Sequence, residues 1–76
     1  MKIGNYVAVI KIDKEFEFSR TLKSYGLKVG DVGKIMTTSK NWYGIKFMNI
    51  DYDDIIFCDK EELRKATKDE IRLALL

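Results

Sequence analysis

Apolar side chains recur at every second position along most of this chain, the period of a strand that buries one face. Tyr6, Ala8, Ile10 and Ile12 alternate with Val7, Val9 and Lys11, which predicts a first strand over 6–12, apolar on both faces at its start and on one at its end. A second strand is predicted over 32–38, with Val32, Lys34, Met36 and Thr38 on one face and Gly33, Ile35 and Thr37 on the other. A third follows over 42–48, then a short buried strand over 55–58 and a closing strand over 62–66. The breaks between them are Ser39-Lys40-Asn41, the stretch from Met48 to Asp53, and one tight turn at Asp59-Lys60-Glu61. The chain has no proline, so its turns rest on Gly, Asn, Asp and Ser. Gly30 and Gly33 are expected to be backbone requirements of the turn into the second strand, with the Asp31 carboxylate accepting from a nearby amide. The core expected from this pattern is Val7, Val9, Ile10, Leu27, Val32, Ile35, Ile45, Phe47, Ile56 and Leu63.

Two segments break the two-residue period. Residues 13–28 form a long connection in which Asp13-Lys14-Glu15-Phe16-Glu17-Phe18 alternates charge and aromatic, with Leu22, Tyr25 and Leu27 after it. Connections of that length in a compact domain tend to carry function. At the other end, Thr67-Lys68-Asp69-Glu70 is a capping box, the threonine hydroxyl accepting from the N3 amide and Glu70 reaching back to the cap amide. It predicts a helix over 67–76 beside a domain over 1–66. At about 100° per residue, Ile71, Ala74 and Leu75 share the face that packs on the sheet. Leu73 and Leu76 point the other way, so either the last turn frays or another chain covers that face, in a homodimer or with a partner.

In sequence, the carriers of the fold are Gly30-Asp31 before the second strand, Gly33, the pair Trp42-Tyr43 opening the third, Phe47, and Glu61-Glu62-Leu63 before the close. Together they resemble an SH3-like small β-barrel and are similar to barrels carried by bacterial phages and mobile elements. The resemblance covers about residues 4–66. It implies a mainly β fold: a five-stranded antiparallel SH3-like barrel with a short C-terminal α-helix. It also implies a bacterial or phage source. Ligand-binding SH3 grooves need a proline and a tyrosine in the last loop and clustered tyrosines in the first. Here Asp59-Lys60-Glu61 stands in the linker and proline is absent, so the fold carries over and the polyproline ligand does not. Such barrels host many functions, and fold alone chooses none of them.

Composition narrows the classes. Seventy-six residues make one domain. One cysteine, Cys58, and no histidine leave no intramolecular disulfide and no Cys/His zinc site, which needs about four such ligands. The same absence removes histidine-based acid–base or nucleophilic catalysis, and Cys58 in an apolar strand reads as a core thiol. Asp53 and Asp54 are adjacent on an extended chain and point to opposite faces, so they do not flank one substrate. The Asp51-Tyr52-Asp53-Asp54 stretch lacks the EF-hand pattern, and the glycines lack phosphate-loop spacing. The expected protein is therefore not an enzyme and takes no metal or cofactor. Only five apolar residues lie between Asn5 and Lys11, too few for a secretory segment, and no run reaches membrane-spanning length. A lone cysteine without an export signal points to the cytoplasm.

A binding role remains. The formal charge is +2, but it is unevenly placed. Eight Lys/Arg face four acids over 11–46, whereas six acids face Lys60 over 51–62. The aromatics expected in loops and turns, Phe16, Phe18, Tyr25, Trp42, Tyr43 and Tyr52, lie among charges of both signs. That mixture suits contact with a protein partner. The alternative is a nucleic-acid surface, with those aromatics as stacking platforms and Lys14, Lys40 and Lys46 meeting phosphates. Glu15, Glu17, Asp51 and Asp53 would oppose it.

Overall fold

The computed structural model describes residues 1–12, 26–50 and 55–76. Over these residues the chain is mainly β. Strands β1 (Tyr6–Val9), β2 (Val32–Thr38), β3 (Trp42–Phe47), β4 (Ile56–Asp59) and β5 (Leu63–Lys65) form one antiparallel sheet in the order β4-β3-β2-β1-β5. A short helix, α1 (Lys68–Ala74), follows β5. The expected closed barrel is not what the described residues form: β4 and β5 are the two edges of the sheet, and no ladder joins them.

The sheet is nevertheless strongly curled, because its two edges are joined by a three-residue 3-10 turn, Lys60–Glu62. Across a flat five-stranded sheet the edges lie about 19 Å apart, while a 3-10 turn rises only about 2 Å per residue. Register widens the gap. Asp59 pairs with Trp42, at the Thr38 end of β2, and Leu63 pairs with Val9, at the Val32 end. Only a sheet rolled toward its concave side brings Asp59 and Leu63 within reach of that link.

Rolling separates an inner from an outer face. Val7 and Val9 of β1, Ile35 of β2, Tyr43, Ile45 and Phe47 of β3, Ile56 and Cys58 of β4 and Leu63 of β5 form one buried cluster, with Leu27 added from the connection. Most of the expected core is there. Val32 is also buried but belongs to the outer face, with Ala8 and Ala66. Ile10 is a correction: it is 42% exposed. The β1 ladder ends at Val9, where the Ile10 N–H turns to the Glu62 carbonyl at 2.8 Å. The fourth strand is also corrected. It runs from Ile56 and is half-buried, since Ile56 and Cys58 point in while Ile55 and Phe57 are exposed.

The entry to β2 is built as its residues require. Gly30 has φ +98°, a conformation that glycine adopts without a Cβ clash, and its N–H donates to the Val9 carbonyl at 2.8 Å. The Asp31 carboxylate accepts from the Lys28 N–H at 2.8 Å, closing the turn. Gly33 has a different cause from the one expected. Its φ is not positive, and it is needed because a Cβ there would meet Ile45 Cγ2 at 2.3 Å.

Helix α1 is capped as its sequence predicts. Thr67 Oγ1 accepts from the Glu70 N–H at 3.1 Å, and Glu70 Oε1 accepts from the Thr67 N–H at 2.9 Å. The Arg64 guanidinium on β5 grips both Glu70 carboxylate oxygens at 2.6 Å. Ile71 and Ala74 pack on the outer-face cluster of Ala8, Val32 and Ala66, which Tyr6 and Met48 also border. Leu75, expected on the same face, is 60% exposed instead, because the helix ends at Ala74 and Leu75 is its C-cap. Leu73 and Leu76 are exposed, in keeping with their phase.

Two outcomes follow. Ile45→Ala should cost about 2–5 kcal/mol in urea unfolding, whereas Ile10→Ala should cost under about 1 kcal/mol. The Glu70 carboxyl is lowered from 4.5 to about 2, chiefly by its hydrogen bonds from Arg64 and then by the Thr67 amide. A carboxyl depressed on folding contributes stability that is complete above its unfolded value and is lost as pH falls toward the folded one. The stability gap between the wild type and Glu70→Gln should therefore close as pH drops from about 5 to about 2. A gap that stays constant over that window would show that the Arg64–Glu70 contact contributes nothing.

Candidate partner-binding face

Strand alternation decides what the outer face presents. On β3, Tyr43, Ile45 and Phe47 point into the core, so Trp42, Gly44 and Lys46 point out. On β4 the same rule sends Phe57 outward. Its ring meets Trp42 edge to face, with centroids 4.7 Å apart and planes at 76°. Gly44 lies between the outward positions of Trp42 and Lys46. The space a Cβ would take there is filled by Thr37 Cγ2 and Ile55 Cγ2. The result is an apolar surface of Trp42, Thr37, Ile55 and Phe57, in which Ile55 is 44% and Phe57 39% exposed. Thr37, expected on the face of Ile35, is here instead because the β2–β3 register shifts between Ile35 and Thr37. Among the described residues, α1 packs over Ala8, Val32 and Ala66, while Ile55 and Phe57 stay exposed.

Along its border runs a charged row. Lys34 of β2 pairs directly with Lys46 of β3, and Tyr6 of β1 pairs with Lys34. The next residue outward from Lys46, continuing the pairing of Ile45 with Ile56, is Ile55. At the opposite end Trp42 pairs with Asp59. One Asp59 oxygen, Oδ2, is buried and has no hydrogen-bond partner among the described residues. The face thus runs from two lysines to an apolar patch, beyond which Asp59 keeps one carboxylate oxygen buried.

The structure sorts the residues picked from sequence. Trp42 and Lys46 come together on this face, with Trp42 half-buried. Lys40 lies in the exposed turn between β2 and β3, beside Asn41, Asp59, Lys60 and Glu61. Tyr43 is a correction. It is only 5% exposed and belongs to the core, where the Lys60 ammonium caps its ring at 4.9 Å from the centroid. Neighbouring residues on a strand face opposite ways, so Trp42 and Tyr43 could not share a surface. Phe16, Phe18, Tyr25, Tyr52 and Lys14 lie outside the described residues.

Three residues were missed. Phe57 lies in an apolar run with no period, Lys34 becomes part of a pair only through register, and Ile55, expected to be buried, is exposed. A fourth, Glu62, is structural and fully buried. Its carboxylate accepts from the Asp59 N–H at 3.1 Å, which holds the 3-10 turn closed. The spacing Asp59-x-x-Glu62 is a capping-box signal and could have been read as one. Cys58 is buried beside it. Burial, followed by the charges of Glu62 and Asp59, pushes its thiol far above its ordinary range, so it is held neutral.

Among the described residues, no cluster of three or more His, Cys, Asp or Glu is placed to hold a metal ion. No described helix is long and apolar enough to cross a membrane. A scan of protein-family models finds no match to the chain, and searches of curated proteins and of solved structures find none either.

Proposed function

We propose that this chain is a small non-catalytic binding module that works by protein–protein contact through the outer face of β3 and β4. The observation that carries the reading is the half-buried Trp42 meeting the exposed Phe57, with exposed Ile55 next to Phe57 on the same face. Aromatic anchors on a rigid sheet offer contact area at little entropy cost. Ala8 and Val32 of the outer face are used to pack α1, and the inner face is the core.

The architecture belongs to the same proposal. We read it as SH3-like: a first strand, a long connection, a three-stranded meander, a one-turn link and a short fifth strand returning beside the first. The strand order and the Lys60–Glu62 turn support this reading, and closure of the curled sheet into a barrel is part of it.

The test is capture from lysate with the immobilised chain, with and without nuclease. Ile55→Lys combined with Phe57→Lys should abolish capture while the unfolding midpoint falls by no more than about 8 °C, the shift expected for about 1 kcal/mol. Capture retained by this variant would contradict the proposed face. Capture that disappears with nuclease would replace the protein partner with a nucleic acid.

A further inference from the structure

We propose that α1 is a detachable strap. It leaves the outer face as a unit while the five-stranded sheet stays folded, and its release extends the candidate face toward β1. The inference rests on the protein-binding reading above for its consequence and on the helix itself for its mechanism.

The separation is built into the packing. The inner cluster around Ile35, Ile45 and Phe47 takes no residue from α1. Ile71 and Ala74 join only the smaller outer cluster, on the other side of the sheet. Among the described residues, no backbone hydrogen bond runs from α1 to a strand. The last bond before the helix, from the Ala66 N–H to the Tyr6 carbonyl at 3.0 Å, stays with the sheet. Undocking α1 therefore breaks no ladder and opens no part of the inner core.

The attachment itself is thin. None of the seven residues of α1 is buried, and Ile71 and Ala74, its contacts to the sheet, are half-buried. Isolated helices shorter than ~12–15 residues are marginal in water, so α1 has little order of its own. The Arg64–Glu70 pair lies at the surface, where ion pairs contribute little. Docking is also incomplete. A cleft of about 490 Å³ opens between Glu70, Leu73 and Ala74 of α1 and Gly30, Val32 and Met48 at the entry to β2 and the end of β3. Few buried apolar contacts mark a unit that opens well below the global unfolding free energy.

What release uncovers lies in line with the candidate face. Ala8, Val32 and Ala66 are buried with the helix in place. Ala8 pairs with Val32, and the Val32 carbonyl accepts from the Met48 N–H at 3.0 Å. Met48 follows Lys46 in the outward series that begins at Trp42. The strip under α1 thus continues the outer face of β3 across β2 to β1. Docked, the helix closes that end and sets how much apolar surface the face offers.

Amide hydrogen exchange on the intact chain, resolved by residue in rising urea below the unfolding transition, reads the opening. The Ile71 and Leu75 amides, bonded to the Thr67 and Ile71 carbonyls, should exchange together, at least tenfold faster than that of Ile45 and with weaker dependence on urea. Equal protection and equal urea dependence at all three would make α1 part of one cooperative unit and overturn the inference. Ile71→Ser combined with Glu70→Gln supplies the released form. It should keep Ile45 protection and Trp42 emission, while the emission of added anilinonaphthalene sulfonate, a dye that binds exposed apolar surface, rises severalfold. Loss of Ile45 protection, or unchanged dye emission, overturns the inference. The released form should also capture its partner from lysate severalfold better than the wild type. Capture at or below the wild-type level overturns the strap and leaves the protein-binding reading standing, since that reading falls only if Ile55→Lys with Phe57→Lys still captures.

Discussion

The short link between the two edge strands is the constraint on which the rest of this structure depends. Lys60–Glu62 must join Asp59 to Leu63, and the registers place those residues far apart on any flat sheet. The sheet therefore rolls, and rolling creates an enclosed face large enough to bury Phe47, Ile35, Ile45 and Ile56 in a chain with no disulfide. Glu62 sits at the centre of this arrangement as a fully buried carboxylate that accepts from the Asp59 amide. A buried charge is costly unless it is hydrogen-bonded. Its position in the turn is explained by what the turn accomplishes: it fixes the angle at which β5 returns to β1.

Once the inner face is committed to the core, function is confined to the outer one. That face is divided by the helix. Arg64 and Glu70 clasp α1 to β5, and Ile71 and Ala74 cover Ala8, Val32 and Ala66. What is left over β3 and β4 is small, with lysines at one border and the Trp42–Asp59 pairing at the other. The apolar centre depends on Gly44, whose missing side chain lets Thr37 and Ile55 close over the strand. Shape and charge at this face are thus by-products of how the sheet is rolled and capped.

The strands, their order of appearance and the helix cap were legible in the sequence because each rests on a local rule: two-residue alternation, the Gly30-Asp31 turn and the Thr67–Glu70 box. The errors fall where a local rule is silent. Alternation assigns residues to two faces but does not say which face is inside, so Tyr43 was expected at a surface and is core. The Ile55-Ile56-Phe57-Cys58 run has no period, and only its place at the edge of the sheet exposes Ile55 and Phe57. Ile10 and Leu75 continue good patterns past the point where the ladder and the helix stop. Lys34 and Lys46 are twelve positions apart in sequence and become a pair only when β2 and β3 align. Of the candidate site, Trp42 and Lys46 were found from sequence, and register supplied the rest.

The central claim is that partner contact falls on the outer face of β3 and β4. The most direct measurement is collisional quenching of Trp42 by acrylamide, in the free chain and in the complex with its captured protein partner at saturation. Trp42 is half-buried in the free chain and meets the exposed Phe57 edge to face. The account predicts that the quenching constant falls severalfold when the partner binds. An unchanged quenching constant at saturation would place the contact elsewhere and contradict it.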